Sequence, residues 1–136
     1  MKEMVLYYAP DNTPHTSLLR GVMAQMGVKV KNLTPERCIQ RIGYLVGMDG
    51  AKKREVSDGF QKYAPEIKEE MLVIAGFTEE RLEELLDKLK KAGVPKINLK
   101  AIVTETNADW TVYQLYEQLK EEHANVFISE GRLTDT

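Results

Sequence analysis

The stretch MLVIAGFTEERLEELLDKLKKAG, Met71 to Gly93, carries the pattern from which the rest of the chain is read. Met71, Leu72, Val73, Ile74 and Ala75 form a short unbroken apolar run, as expected of a strand covered on both faces. Gly76 and Phe77 interrupt it. Thr78 suits a helix N-cap because its hydroxyl accepts from an amide that has no partner in the first turn, and Glu79 and Glu80 complement the positive end of the helix dipole. Leu82, Leu85, Leu86 and Leu89 follow at helical spacing and make one apolar stripe. Lys88, Lys90 and Lys91 sit beside the carbonyl end, and Gly93 is free to take the left-handed conformation that stops a helix. The stretch reads as buried strand, turn and amphipathic helix.

The N-terminal region repeats this pattern without repeating its residues. Met4 to Ala9 (MVLYYA) is a second near-continuous apolar run, closed by Pro10 with Asp11 and Asn12 behind it. Thr13 is placed to cap a helix with Pro14 at its first position, where a missing N–H costs nothing. Leu18, Leu19, Val22, Met23 and Met26 form the buried stripe, and Gly27 ends it. Laying Val5–Pro10 on Met71–Gly76 without a gap also brings Gly27 onto Gly93 and Val28 onto Val94. After each helix comes an alternating segment, Val28, Val30 and Leu33 spaced by lysines, then Ile97, Leu99 and Ala101 spaced by Asn98 and Lys100. Alternation implies one wet face and therefore edge strands. Thr34 with Pro35 opens a helix over ERCIQRIGYLVG, and Thr106 with Asp109 resembles a capping box before WTVYQLYEQLKEEH.

The expected fold class is α/β, an internally duplicated βαβα-βαβα chain. Its parts are an N-terminal half at 1–47, a linker at 48–69, a C-terminal half at 70–125 and a tail at 126–136. The linker, with its Lys52, Lys53, Arg54 run, is long enough to hold a short helix, and Val126–Ile128 is placed as a short edge strand. With the continuous runs central and the alternating ones outside, the expectation is one mostly parallel four-stranded sheet of order 2-1-3-4 with helices on both faces. The alternatives are two small βαβα units, or a dimer whose halves pair across chains. In a parallel sheet the chain leaves the two central strands in opposite directions and opens a crevice at their carboxyl ends. Those ends are Pro10, Asp11 and Asn12, and Gly76, Phe77 and Thr78.

Composition narrows the function classes. At 136 residues, 43% of them apolar, the chain suffices for one sizeable core. A net charge of −2 supplies no global basic field, so nucleic acid is not an expected partner. No apolar run approaches the roughly 20 residues that cross a bilayer, so no membrane span is expected. Cys38 is the single cysteine, which excludes an internal disulfide and a Cys-rich zinc site and fits a reducing compartment. The apolar run in MKEMVLYYAPD is too short for a secretory h-region, so the expected location is cytoplasmic.

Each candidate for chemistry has a plainer reading beside it. Gly76-Phe77-Thr78 joins a strand to a helix N-terminus, where free amides hold anions, but it lacks repeated glycines and also reads as turn and N-cap. Asp11 and Asn12 stand where a receiver domain keeps acidic residues, yet the third strand offers no phosphoacceptor aspartate and that reading is rejected. Lys100, Thr104, Asn107 and Trp110 form a polar and aromatic corner that would line a pocket, or else Asn107 shapes a turn and Trp110 packs in the core. His15 and His123 have no companions at ligand spacing, so no metal is expected. Cys38 lies within an apolar periodic segment and reads as core. Glu79, Glu80, Glu83, Glu84, Glu121 and Glu122 belong to solvated helix faces. Tyr7, Tyr8, Tyr113 and Tyr116 need hydroxyl partners wherever they are buried.

GYLVG (Gly43–Gly47), MLVIAGF (Met71–Phe77) and LKAIVTETNADW (Leu99–Trp110), in this order and at these separations, resemble a small family of bacterial proteins known as a domain of unknown function. The likeness spans most of the chain and is strongest from Met71 to His123. It implies no activity, cofactor or catalytic residue. Its recurring positions are Gly43, Tyr44, Gly47, Gly76, Phe77, Lys100, Thr104, Asn107 and Trp110, which favours the Gly76 turn and the Asn107 corner as site candidates.

The expected function is a non-enzymatic module, regulatory or binding a small anion or metabolite, with no cofactor. The alternative is a protein–protein interaction module using free sheet edges, including a homodimer through Val28–Leu33 or Ile97–Val103. An enzyme stands third, because no nucleophile with its base, metal set or phosphate loop assembles from the sequence.

Overall fold

The two apolar runs become the central strands of one sheet, β1 at Met4–Tyr8 and β3 at Met71–Ala75, and every residue of β3 is buried. The computed structural model describes residues 2–10, 13–53 and 66–130, with 124–130 described as backbone. The alternating segments become the edges, β2 at Lys29–Asn32 and β4 at Leu99–Ile102. The order is β2-β1-β3-β4, as the pattern predicts. The helices are α1 at Thr16–Met26, α2 at Pro35–Cys38, α3 at Ile42–Leu45, α4 at Glu79–Lys91 and α5 at Val112–Glu130.

Strand direction departs from expectation at the centre. β1 runs parallel to β2 and β3 parallel to β4, but β1 and β3 are antiparallel, with Met4 opposite Ala75 and Tyr8 opposite Met71. An unbroken apolar run records only that both faces are covered, and here both are, whichever way the strand points. On one face Val5, Tyr7, Leu72 and Ile74 pack beneath Leu19 and Met23 of α1 and Leu85 and Leu89 of α4. On the other, Leu6, Met71, Val73 and Leu99 meet Cys38, Ile42, Leu45, Val112, Leu115 and Tyr116.

Helix ends follow local chemistry, with four corrections. Thr34 Oγ1 accepts from Arg37 N and Thr78 Oγ1 from Arg81 N, each at 3.2 Å, and Gly93 takes a left-handed φ of 89° beyond α4. Thr13, however, does not cap α1. Its hydroxyl donates to Pro10 O at 2.7 Å within a turn, and His15 occupies the cap position. The single helix expected after Thr34 is split into α2 and α3, because Arg41 between them bridges Thr111 and Ile42 N donates to Trp110 O at 2.9 Å. The capping box of α5 is Thr111 with Gln114, whose backbone amides donate to each other's side-chain oxygens at 2.8 and 3.2 Å. Thr106 and Asp109 belong instead to the short 3-10 turn Asn107–Asp109 and its approach. Finally, Val126–Ile128 continues α5 as helix rather than forming an edge strand. Of the linker expected at 48–69, residues 48–53 and 66–69 contain no helix, and 54–65, with 131–136 of the tail, lie outside the described residues.

Gly43 shows how closely α3 approaches the turn before α5. A Cβ built there would lie 3.1 Å from Ala108 O and 3.3 Å from Ala108 Cβ. A valine adds two further methyls against that backbone, so Gly43→Val will lower stability by about 1–3 kcal/mol in a denaturant melt. Gly21, within α1, has nothing within 4 Å of its Cβ position. Gly21→Ala will therefore be neutral or stabilising, by up to about 1 kcal/mol, through reduced backbone entropy of the unfolded chain.

Candidate functional site

The antiparallel centre separates the residues that the crevice was to bring together. Tyr8, which precedes Pro10, is opposite Met71, whereas Ala75, which precedes Gly76, is opposite Met4. The two turns therefore lie at opposite ends of the sheet, about 15 Å apart along a five-residue strand. Asp11 and Asn12 lie outside the described residues. At the other end Gly76 has a φ of 79°, Phe77 packs on the core beneath α1 and α4, and Thr78 caps α4. The charge beside this helix start is already engaged. Arg81 forks onto Glu3 at 2.6 and 2.8 Å, and also donates to Met26 O at 2.9 Å and to Glu84 at 3.1 Å. These bonds hold the Glu3 carboxyl below the usual carboxylate range, and the turn works as a structural corner.

The Thr104–Trp110 corner is likewise bound to itself. Thr104 N donates to Asn107 Oδ1 at 2.8 Å, Asn107 N to Thr104 Oγ1 at 3.2 Å, and Asn107 Nδ2 to Ile102 O at 3.0 Å. Asn107 thus replaces the backbone partners missing where β4 ends. Trp110 packs against the core cluster that contains Leu6 and Leu99, while Lys100, opposite Leu72, projects from the other face of the sheet.

A different site emerges around that lysine. Two cavities of about 430 and 250 Å³ share Leu86 and Lys100 and form one groove between α4 and β4. Its floor and walls are Leu82, Leu89, Val94, Ile97 and Ile102, with Lys90 and Lys96 on the rim. Leu86 and Ile102 are 39% and 50% exposed and lie together in this groove, apart from the two other large exposed side chains among the described residues, Leu18 and Tyr44. Among the described residues β4 pairs with β3 alone, so its outer N–H and C=O groups have no strand partner. On the opposite edge Arg37 donates to Asn32 O, as Asn107 does to Ile102 O on this one, and the side chains of Asn32 and Lys31 are held by Arg20 at 2.6 Å and by Leu45 O at 2.9 Å.

Lys100 is half-buried in this groove, and its Nζ donates to Ile97 O at 2.8 Å. Burial, with Lys96 nearby, holds the ammonium below the usual lysine range. Sequence reasoning named Lys100 but missed Leu86 and Ile102. The available signal was an isoleucine at the same parity as Lys100, where a solvent-facing polar residue was expected. A larger opening of about 740 Å³, beside Lys2, Lys29, Gly47 and Asp49, is a broad cleft whose Glu3 is already held by Arg81.

A second constellation lies at the far end of β1. Buried Tyr7 donates its hydroxyl to Glu70 Oε2, which also meets His15 Nε2 at 2.7 Å, and Thr16 Oγ1 lies 3.3 Å from the Tyr7 oxygen. Burial first, and the Glu70 contact second, push the Tyr7 phenol up to about 12. The cluster ties α1 to the start of β3. Its members are 55 and 63 residues apart from Glu70, so no local spacing announced it. Among the described residues no group of three or more His, Cys, Asp or Glu is arranged to hold a metal.

Residues 70–126 match the family model described as a domain of unknown function (DUF3783). The matched span contains β3, α4, β4 and most of α5, and hence the whole groove; GYLVG, Tyr7 and His15 fall outside it. No curated protein and no solved structure matches the chain. Among the described residues no helix is long and apolar enough to cross a membrane.

Proposed function

We propose that this protein is a binding module that takes an extended segment of a partner protein along β4, in the groove beneath α4. The observation that carries the reading is the juxtaposition of exposed Leu86 and Ile102 with a strand edge that has no strand partner among the described residues. Main-chain hydrogen bonds to the edge supply affinity in this mode, and pockets for alternate side chains supply selectivity. The small-ligand reading has two supports, a crevice between the two central turns and the Thr104–Trp110 corner; those turns stand at opposite ends of the sheet, and Asn107 spends its side chain on Thr104 and Ile102. The parallel pairs β1–β2 and β3–β4, each with a helix between its strands, support an internally duplicated origin. The use of a single cysteine, Cys38, supports residence in a reducing compartment.

The test is a titration of isotope-labelled protein with blocked octapeptides repeating Thr-Thr-Val-Thr, Glu-Thr-Val-Thr or Lys-Thr-Val-Thr, called Thr-Val, Glu-Val and Lys-Val after the two residues that share one strand face. Strand addition predicts saturable amide shifts over Leu99–Ile102 and slowed exchange of the edge amides. Both should be lost in Ile102→Glu, a substitution at an exposed site that preserves the melting temperature. No shift from any of the three peptides overturns the reading.

A further inference from the structure

We infer that the segment received by the groove carries a carboxylate and an aliphatic side chain two positions apart, on one face of the added strand, with the carboxylate seated on Lys100. The inference rests on reading the groove as a strand-addition site. Lys100 and Ile102 project from the same face of β4, because they pair with Leu72 and Ile74, which both belong to the core on the α4 side. A strand added beside β4 places one side chain against Lys100 and the next on that face, two residues along, against Ile102. The first meets a half-buried ammonium and the second meets an apolar wall of Ile102, Leu86 and Leu82. The complementary pattern is therefore a carboxylate and an aliphatic residue separated by one position.

Charge selects the occupant. An ammonium has three donors, and Lys100 places one on Ile97 O. Among the described residues no carboxylate lies within ion-pair distance of Lys90, Lys96 or Lys100, although Lys91 next door is paired with Asp87 at 2.9 Å. A lysine that only blunts an edge extends into water. Lys100 instead folds back along the groove and is partly desolvated, an arrangement that an incoming carboxylate completes. A second copy is the poorer occupant, since antiparallel pairing of β4 with itself brings the lysines of both copies into the same groove.

The three octapeptides separate the possibilities. Glu-Val is expected to bind about fivefold or more tighter than Thr-Val, with Lys-Val weakest and the preference shrinking as salt rises. Lys100→Gln should erase the difference between Glu-Val and Thr-Val. Equal binding of Glu-Val and Thr-Val, or a preference that survives Lys100→Gln, overturns the acidic occupant and leaves the groove standing. Absence of binding by all three overturns both. A concentration-dependent dimer abolished by Ile102→Glu overturns the acidic occupant in favour of a second copy.

Discussion

Leu85→Ala will lower the unfolding free energy by about 2–5 kcal/mol, whereas Leu86→Ala, one residue on, will change it by less than about 1 kcal/mol. Both leucines belong to the stripe of α4, but Leu85 is fully buried with Leu72 and Ile74 beneath it, and Leu86 is 39% exposed. Truncating Leu85 removes its transfer free energy and leaves a cavity under a helix that is also held by the Thr78 cap. Truncating Leu86 removes a wall of the groove while the core stays filled. Urea melts of the two variants give the stability difference. Titration with the Glu-Val octapeptide should show the reverse order, with Leu86→Ala losing affinity at unchanged melting temperature. If Leu86→Ala proves as destabilising as Leu85→Ala, Leu86 is core and the groove is not a binding surface.

Alkaline pH will cost this protein stability through Tyr7. Its folded-state pKa is raised from 10.0 to about 12, chiefly by burial and then by its bond to the Glu70 carboxylate. A group whose folded pKa exceeds its unfolded value contributes stability that is complete below the unfolded value. That contribution is lost as pH rises through the folded one. The window is therefore pH 10 to about 12, and a two-unit shift corresponds to an effect on the order of 2–3 kcal/mol. Burial also raises the Tyr113 phenol, so the measurable quantity is the difference between the wild type and Tyr7→Phe. The variant should be less stable near neutral pH, where the hydroxyl bridges Glu70 and Thr16, and the gap should close above pH 10. A gap independent of pH removes the titration of Tyr7 from the account.

The groove was only partly legible beforehand. Lys100 was singled out, yet it was grouped with Thr104, Asn107 and Trp110 on the strength of nearness in sequence. Residues that follow one another along a strand point to opposite faces, and the sheet sends Lys100 to the α4 side while Trp110 packs on the other. Asn107 lay in the right place but spends its side chain on Thr104 and Ile102. The Tyr7, Glu70 and His15 cluster was invisible because its members come from separate elements and only the sheet makes them neighbours.

By itself the amino-acid order determined the strands Met4–Tyr8 and Met71–Ala75, the edge positions of Lys29–Asn32 and Leu99–Ile102, the sheet order and the capping of α4 by Thr78. These depend on periodicity and on hydrogen bonds within a few residues, and such forces are written locally. Only the tertiary structure decided that β1 and β3 run antiparallel, which sends the two central turns to opposite ends. Burial on both faces is indifferent to strand direction, so the apolar pattern holds no vote on it. The tertiary structure also decided that Leu86 and Ile102 stay exposed beside an edge with no strand partner among the described residues, because exposure depends on how the other elements pack.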